Sequence, residues 1–241
     1  MRAMLEIQDL HAYLGHLYVV QGVSLRVERG DVLFILGRNG AGKTTFLKTI
    51  MGFINPSRGR IFYEGIDITS KPLYERARMG IRYIPDNRRL FPTLTVEENL
   101  LVGLSDIHER KKILDRLEYI YTVFPDLKKL RKLRAKQLSG GQQQMLNIAR
   151  AIAHPDAKLF LIDEPTEGLS PIYASKIASV IQDLVREDRG VVIVETKPWL
   201  MKKIGGMYAI MNNGKIVSQG SVKDLMSSRD LIERYLGVTM S

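Results

Sequence analysis

The 241-residue chain contains no cysteine, so disulfides and thiolate metal sites are excluded outright. No apolar run approaches the roughly 18 residues that a membrane span needs. The N-terminus lacks the pattern of a secretory signal, which argues against export. Internal repeats and low-complexity segments are absent as well. Together these absences fit a cytosolic chain. Acidic residues are in deficit: 26 Asp and Glu face 36 Lys and Arg, a formal charge of +10. Such a balance serves nucleic acid, or a nucleotide site beside an anionic membrane surface. The densest basic run is Lys128-Lys129-Leu130-Arg131-Lys132-Leu133-Arg134-Ala135-Lys136. It lacks an aromatic platform, and its leucines fall at helical spacing. It therefore reads as the solvated face of a helix and not as a nucleic-acid track.

What the chain does have is a core. Hydrophobic residues make up 45 % of it, enough for one large domain or one with an inserted subdomain. The most informative stretch is Gly37-Arg38-Asn39-Gly40-Ala41-Gly42-Lys43-Thr44-Thr45, which matches the phosphate loop G-x-x-x-x-G-K-[ST]. Val32 to Leu36 before it is a short continuous apolar run, hence a buried strand. Thr44 to Met51 continues as a helix closed by Gly52. Glycines let the backbone wrap an anion with inward N–H groups, and the helix aims its positive end at the same place. Lys43 would reach the β- and γ-phosphates, and the Thr44 hydroxyl would ligate Mg²⁺. A chance glycine turn would not have strand, loop, Lys-Thr and helix in register.

The other elements follow from pattern. Met4 to Leu10 and Val23 to Val27 read as strands, with His11 to Tyr18 between them. Tyr13 or Tyr18 is either a base-stacking ring or a half-buried strand tyrosine. Arg60 to Tyr63 and Ile81 to Ile84 are strands, the first turning at Glu64-Gly65 and the second stopped by Pro85. Asn87 to Pro92 is loop. Thr95 and Glu98 form a capping box, and helical patterns run from there to about Lys136 with a break near Pro125. Ser139 caps a further helix with the stripe Met145, Ile148, Ala149 and Ile152. Its two glycines leave N–H groups bare, a second candidate phosphate site. Leu159 to Ile162 is a buried strand ending in Asp163-Glu164-Pro165. Adjacent carboxylates there are costly unless used, and ligands bind at that end of open α/β sheets. Asp163 would hold Mg²⁺ directly or through water, and Glu164 would orient or deprotonate the attacking water. A helix over Tyr173 to Leu184, the strand Val191 to Val194 and a hairpin turning at Asn213-Gly214 come next. Val222 to Leu236 reads as helix.

Three segments now carry a resemblance. Gly37–Thr45, Leu138–Gln142 and Leu161–Pro165 resemble the Walker A motif, the LSGGQ signature and the Walker B motif of the ATP-binding cassette (ABC) ATPases. Walker A alone marks P-loop NTPases generally; the signature about 20 residues before the acids is specific. Arg88 to Leu100, Glu167-Gly168-Leu169 and the ending Tyr235-Leu236-Gly237 look like the LivF-type ATP-binding subunit of branched-chain amino acid importers and their urea or amide relatives.

The resemblance implies an α/β P-loop fold with a mixed sheet, an N-terminal antiparallel β subdomain and a helical subdomain. The whole chain, 1–241, would form one ATP-binding domain. Residues 1–86 and 157–241 would form the RecA-like core with the β subdomain, and 87–156 the helical insertion. It implies ATP and Mg²⁺ as ligands and ATP hydrolysis as the activity. Two cassettes, identical or related, would dimerise head to tail, so that Ser139, Gly140, Gly141 and Gln142 complete the partner's site. Closure would drive two separate membrane permease subunits, fed by a solute-binding protein, from a place on the inner face of the cell membrane. No nucleic acid is implied. The chain departs from the family at Leu14, where a base-stacking aromatic is usual and Tyr13 is displaced by one. It departs at Asp86, usually Gln but able to meet Mg²⁺ through water, and at Ser170, usually Asp. Thr196 stands where most relatives have a switch histidine touching the γ-phosphate. Two alternatives stay open: a cassette ATPase without a transporter, and a degenerate cassette with weak hydrolysis.

Overall fold

The computed structural model describes residues 3–196 and 198–236. Lys197, in the switch segment, and Gly237, in the closing triplet, lie outside the described residues. The chain opens with a hairpin of β1 (Leu5–Leu14) and β2 (Leu17–Val27). Both strands run through His11 to Tyr18, longer than the sequence pattern suggests, and the turn falls at Gly15 with φ 61°. Strand β3 (Val32–Leu36) is buried at every position, which is why it reads as a continuous apolar run. The helix α1 (Lys43–Met51) ends on Gly52 in the left-handed conformation, as expected. Next come β4 (Arg58–Tyr63), the two-residue β5 (Ile66–Asp67), α2 (Leu73–Arg78) and β6 (Ile81–Ile84).

The fully buried Arg76 of α2 binds the bottom of α1. Its guanidinium donates to the carbonyls of Thr49 and Ile50 at 2.9 and 2.6 Å, and to those of Lys71 and Thr69 at 2.8 and 2.9 Å. A cation at a helix C-terminus meets both orphan carbonyls and the negative dipole end.

The helical part holds α3 (Val96–Val102), α4 (Arg110–Val123), α5 (Pro125–Lys129) and α6 (Gly140–Ala153). Both expected caps are formed: Thr95 with Glu98, and Ser139 with Gln142. The helix expected to run to Lys136 stops at Lys129. The Leu133 and Arg131 carbonyls instead accept from the Val96 and Glu97 N–H groups at 2.9 and 3.1 Å. Those are orphan donors in the first turn of α3, so residues 131–134 serve as a backbone partner and not as a helix face. Only Lys128 and Lys129 of the basic run lie on a helix; the rest is exposed turn followed by a short 3₁₀ segment at Ala135–Gln137.

The chain finishes with β7 (Leu159–Asp163), α7 (Pro171–Arg186), β8 (Gly190–Glu195), α8 (Pro198–Ile204), β9 (Met207–Asn212), β10 (Lys215–Ser221), α9 (Val222–Ser227) and α10 (Arg229–Leu236). The single helix expected at the end is two, separated at Ser228. One sheet is antiparallel, in the order β2-β1-β4-β5. The other is mixed, in the order β10-β9-β3-β8-β7-β6, with only β10 antiparallel to its neighbour. Alternate residues of β3 feed two cores. Phe34 packs toward the layer that includes α6 and α7, whereas Leu33 and Ile35 pack with α1 and the antiparallel sheet. The parallel strands end side by side, and the loops that follow β3, β6, β7 and β8 converge there.

Candidate functional site

Gly37, with φ 147°, opens the loop after β3; a Cβ on it would lie 2.2 Å from the Met211 carbonyl oxygen. Gly42, with φ 105°, caps α1 without any side-chain bond, and α1 has no acid in its first turn. The positive end of the helix is thus left for an anion. Arg38, Asn39 and Gly40 are exposed, while Ala41, Gly42, Lys43 and Thr45 are buried and Thr44 half-buried. Lys43 folds back over the loop. Its ammonium donates to the carbonyls of Gly37 at 2.8 Å and Arg38 at 3.1 Å. Burial lowers its pKa, against the opposing pull of Glu164, Asp163 and Glu195.

At the end of β7, Asp163 is 1 % exposed. The Thr44 hydroxyl donates to its Oδ1 at 3.1 Å and the Tyr83 hydroxyl to its Oδ2 at 3.1 Å. Burial raises the Asp163 pKa, and these two bonds hold it down. Motif and spacing do not single out Tyr83. Its phenol is itself raised, by burial first and then by Asp163. The only signal in the sequence is its place near the end of a strand, one residue before Ile84.

Glu164 sits in the left-handed region, with φ 45°, an unusual place for a residue with a Cβ. Its N–H donates to the Val194 carbonyl at 3.0 Å. Its carboxyl is pushed up to about 7, by a hydrogen bond with Glu167 first and then by burial; Lys43 pulls the other way. Glu164, Glu167 and Asp86 line one cleft of about 450 Å³ together with Asn39, Gly40, Gly42, Lys43, Thr44 and Thr45. One wall of the cleft is apolar: Leu14, Leu17 and Val19 of the hairpin.

That wall bears on the ring expected to stack on a base. Tyr13 is not part of it. The Tyr13 ring stacks on Tyr18 with centroids 4.9 Å apart, and Tyr18 also stacks on His11. Neighbouring strand residues point to opposite faces, so the one-residue displacement puts Leu14 on the cleft side and Tyr13 on the other. Thr196 does not line the cleft either. It is half-buried after β8, with its N–H bound to the Glu195 carboxylate at 3.0 Å.

None of the signature residues lines the cleft that holds Lys43. Ser139 and Gly140 are exposed and Gly141 and Gln142 half-buried. The Ser139 hydroxyl accepts from the Gln142 N–H at 3.3 Å, and the Ser139 N–H donates to Gln142 Oε1 at 2.9 Å. Gly141 has a packing reason to be glycine: an added Cβ would lie 2.3 Å from the Tyr173 ring. Gly141→Ala is therefore expected to cost about 1–3 kcal/mol. Thermal unfolding checks this, and Tyr173→Ala in the same chain should recover most of the loss.

Comparison with known proteins agrees with this geometry. The ABC transporter family model matches residues 20–167. The high-affinity branched-chain amino acid transport ATP-binding protein BraG of Pseudomonas aeruginosa is 35 % identical, over 97 % of this chain and 100 % of its own. The lipopolysaccharide export system ATP-binding protein LptB of Acidithiobacillus ferridurans is 33 % identical over 98 % of both chains. The probable branched-chain amino acid transport protein LivF of Archaeoglobus fulgidus is 31 % identical over 98 % of this chain and 99 % of its own. Among solved structures, a nucleotide-free ATP-binding cassette of an ABC transporter superposes with a TM-score of 0.84 at 26 % identity, covering 99 % of this chain and 100 % of its own. The ADP conformation of another cassette gives 0.81 at 28 %, with the same coverage. A phosphate loop, a strand-end Asp-Glu pair, a capped LSGGQ helix and these relatives agree, and the chain belongs to the ABC transporter ATP-binding cassettes, ATPases that couple ATP hydrolysis to transport.

Proposed function

We propose that the chain is the ATP-hydrolysing subunit of a LivF-type importer for branched-chain amino acids or related small solutes. The observation that carries the hydrolytic part is the contact between Thr44 and Asp163 across the mouth of the phosphate loop, with Glu164 next to it. The solute class rests on the relatives named for branched-chain amino acid transport. A second reading has its own support, since a lipopolysaccharide exporter subunit, at 33 % identity, falls between the two relatives named for amino acid transport.

The residues divide the work simply. Loop N–H groups from Gly37 to Thr45 and the Lys43 ammonium bind the phosphates. The apolar wall of Leu14, Leu17 and Val19 faces the rest of the nucleotide. Glu164 orients water toward the terminal phosphate and takes up its proton. Mg²⁺ fits the donor set: Thr44 and Asp163 offer oxygen ligands within one contact, and Asp86 lines the same cleft. Among the described residues no group of three or more His, Cys, Asp or Glu forms a metal cage. That suits an ion held by one or two protein oxygens, waters and phosphates. When bound it would neutralise phosphate charge.

Ser139 to Gln142 are assigned to the ATP of a second cassette, identical or related, because none of them lines the Lys43 cleft and Ser139 and Gly140 are exposed. Among the described residues no helix is long and apolar enough to cross a membrane; the membrane path is assigned to two permease chains. Their contact is assigned to a groove of about 430 Å³ floored by Met51, Phe53, Leu73 and Val102 and flanked by Arg82 and Arg150. Phe91, 46 % exposed, lies under the Arg150 guanidinium, 5.7 Å from its ring centroid. A photo-cross-linker at Phe91 is expected to capture a permease subunit on the inner face of the membrane. The intact complex with its solute-binding protein should then raise ATP turnover when branched-chain amino acids are added. Stimulation by a lipopolysaccharide acceptor complex, with none by amino acids, would instead establish the second reading.

A further inference from the structure

Glu195 ends β8 with 1 % exposure. Its Oε2 accepts from the Thr166 hydroxyl at 2.9 Å, and its Oε1 accepts from the Thr196 N–H at 3.0 Å. Thr166 is itself buried. It belongs to the tight turn that starts at Glu164: the Glu167 N–H meets the Glu164 carbonyl at 3.3 Å, and the Leu169 N–H meets the Thr166 carbonyl at 3.3 Å. Sheet register brings the pieces together. Glu195 is level with Leu36, the last residue before the phosphate loop, and Val194 is level with Asp163. The Glu195 charge also acts on Lys43.

Burying a carboxylate is costly, and packing alone at a strand end is met more cheaply by an apolar side chain. The position therefore asks for a use. We infer that Glu195 is a positioning residue for ATP hydrolysis: its single carboxylate ties the Glu164 turn to the Thr196 segment, so the two shift as one piece when nucleotide arrives. It does not line the cleft. Thr196 is Glu195's own chain neighbour, so the Thr166 bond is the side-chain link across the gap, beside the backbone bond from the Glu164 N–H to the Val194 carbonyl. The inference rests on hydrolysis at Glu164.

The chain supplies its own reporter. Its one tryptophan, Trp199, sits on α8 three residues past Thr196 and is 43 % exposed. In the full-length protein, Glu195→Gln can keep both bonds: the amide oxygen accepts the Thr196 N–H, and the amide N–H donates to a Thr166 hydroxyl turned round. Glu195→Ala removes both, and Thr166→Val removes only the turn side. Glu195→Ala and Thr166→Val are expected to lower kcat about tenfold to a hundredfold, the scale of a small misplacement, with KM for ATP within about twofold. They should also lose the change in Trp199 emission on adding Mg·ATP, while still binding a fluorescent ATP analogue. Glu195→Gln should keep both kcat and the emission change. Three results would overturn the inference: normal kcat and emission in Glu195→Ala; a raised KM and lowered Tm with the emission change intact; or a normal Thr166→Val. Absence of turnover in the parent chain would refute the hydrolysis reading instead, and the emission change in the three variants would still decide the link.

Discussion

Glu164→Gln is expected to bind ATP and hydrolyse it roughly 10²–10⁴ times more slowly than the parent chain, the usual worth of a positioned base. The substitution keeps the shape of the side chain at a strained backbone position, φ 45°, and removes only its negative charge. Lys43, Thr44 and the loop N–H groups are untouched, so binding survives. The variant should accumulate as an ATP-bound dimer, seen as a concentration-dependent shift in sizing chromatography. The acid–base behaviour of Glu164 adds a second test. Its carboxyl lies at about 7 because Glu167 shares a hydrogen bond with it and burial disfavours the charge. A base works in its deprotonated form, present above that value. The kcat/KM of the parent chain, which reports the free enzyme, should fall as pH drops through about 7, and this limb should vanish in Glu164→Gln. Binding without any loss of rate would remove Glu164 from the hydrolytic step.

Lys43→Ala should remove productive nucleotide binding at ordinary ATP-analogue concentrations by weakening it severely. The ammonium is buried, and its partners in the free chain are the Gly37 and Arg38 carbonyls. In the proposed site it is the cation that reaches in among bound phosphates, and truncating one partner of a buried, hydrogen-bonded charge pair costs roughly 2–5 kcal/mol. That corresponds to roughly 30- to 5,000-fold in Kd. Equilibrium binding of a fluorescent ATP analogue measures it, with circular dichroism to show that the chain stays folded. Parent-like affinity would mean that the phosphates do not lie over this loop.

Much of the site is legible in the sequence because its chemistry is local. The phosphate loop, the Asp163-Glu164 pair and the two helix caps at Thr95 and Ser139 are each written within a few consecutive residues. Tyr83 and Glu195 escape a sequence reading for the opposite reason. Tyr83 meets Asp163 from 80 residues away through the pairing of β6 with β7, and Glu195 finds Thr166 29 residues back. Each looks like an ordinary residue of its own strand. Strand β5 is too short to show a period. The misreading after Lys129 has a clear source. Leu127, Leu130 and Leu133 keep helical spacing, yet Leu127 is buried while Leu133 is 39 % exposed. Backbone demand at the start of α3 outweighed the pattern. Tyr13 shows how strict a strand is: one residue of displacement moves a ring to the other face.

The clamp of Arg76 on the foot of α1 has a consequence for how nucleotide energy is divided. With the Thr49 and Ile50 carbonyls already held, α1 stands preorganised before any phosphate arrives. Little affinity is then spent on ordering the helix, since preformed sites escape that tax. ATP and ADP meet the same rigid cradle around their shared phosphates. On the proposed site, discrimination between them falls to the ends of β7 and β8, where Glu164 and Thr196 stand.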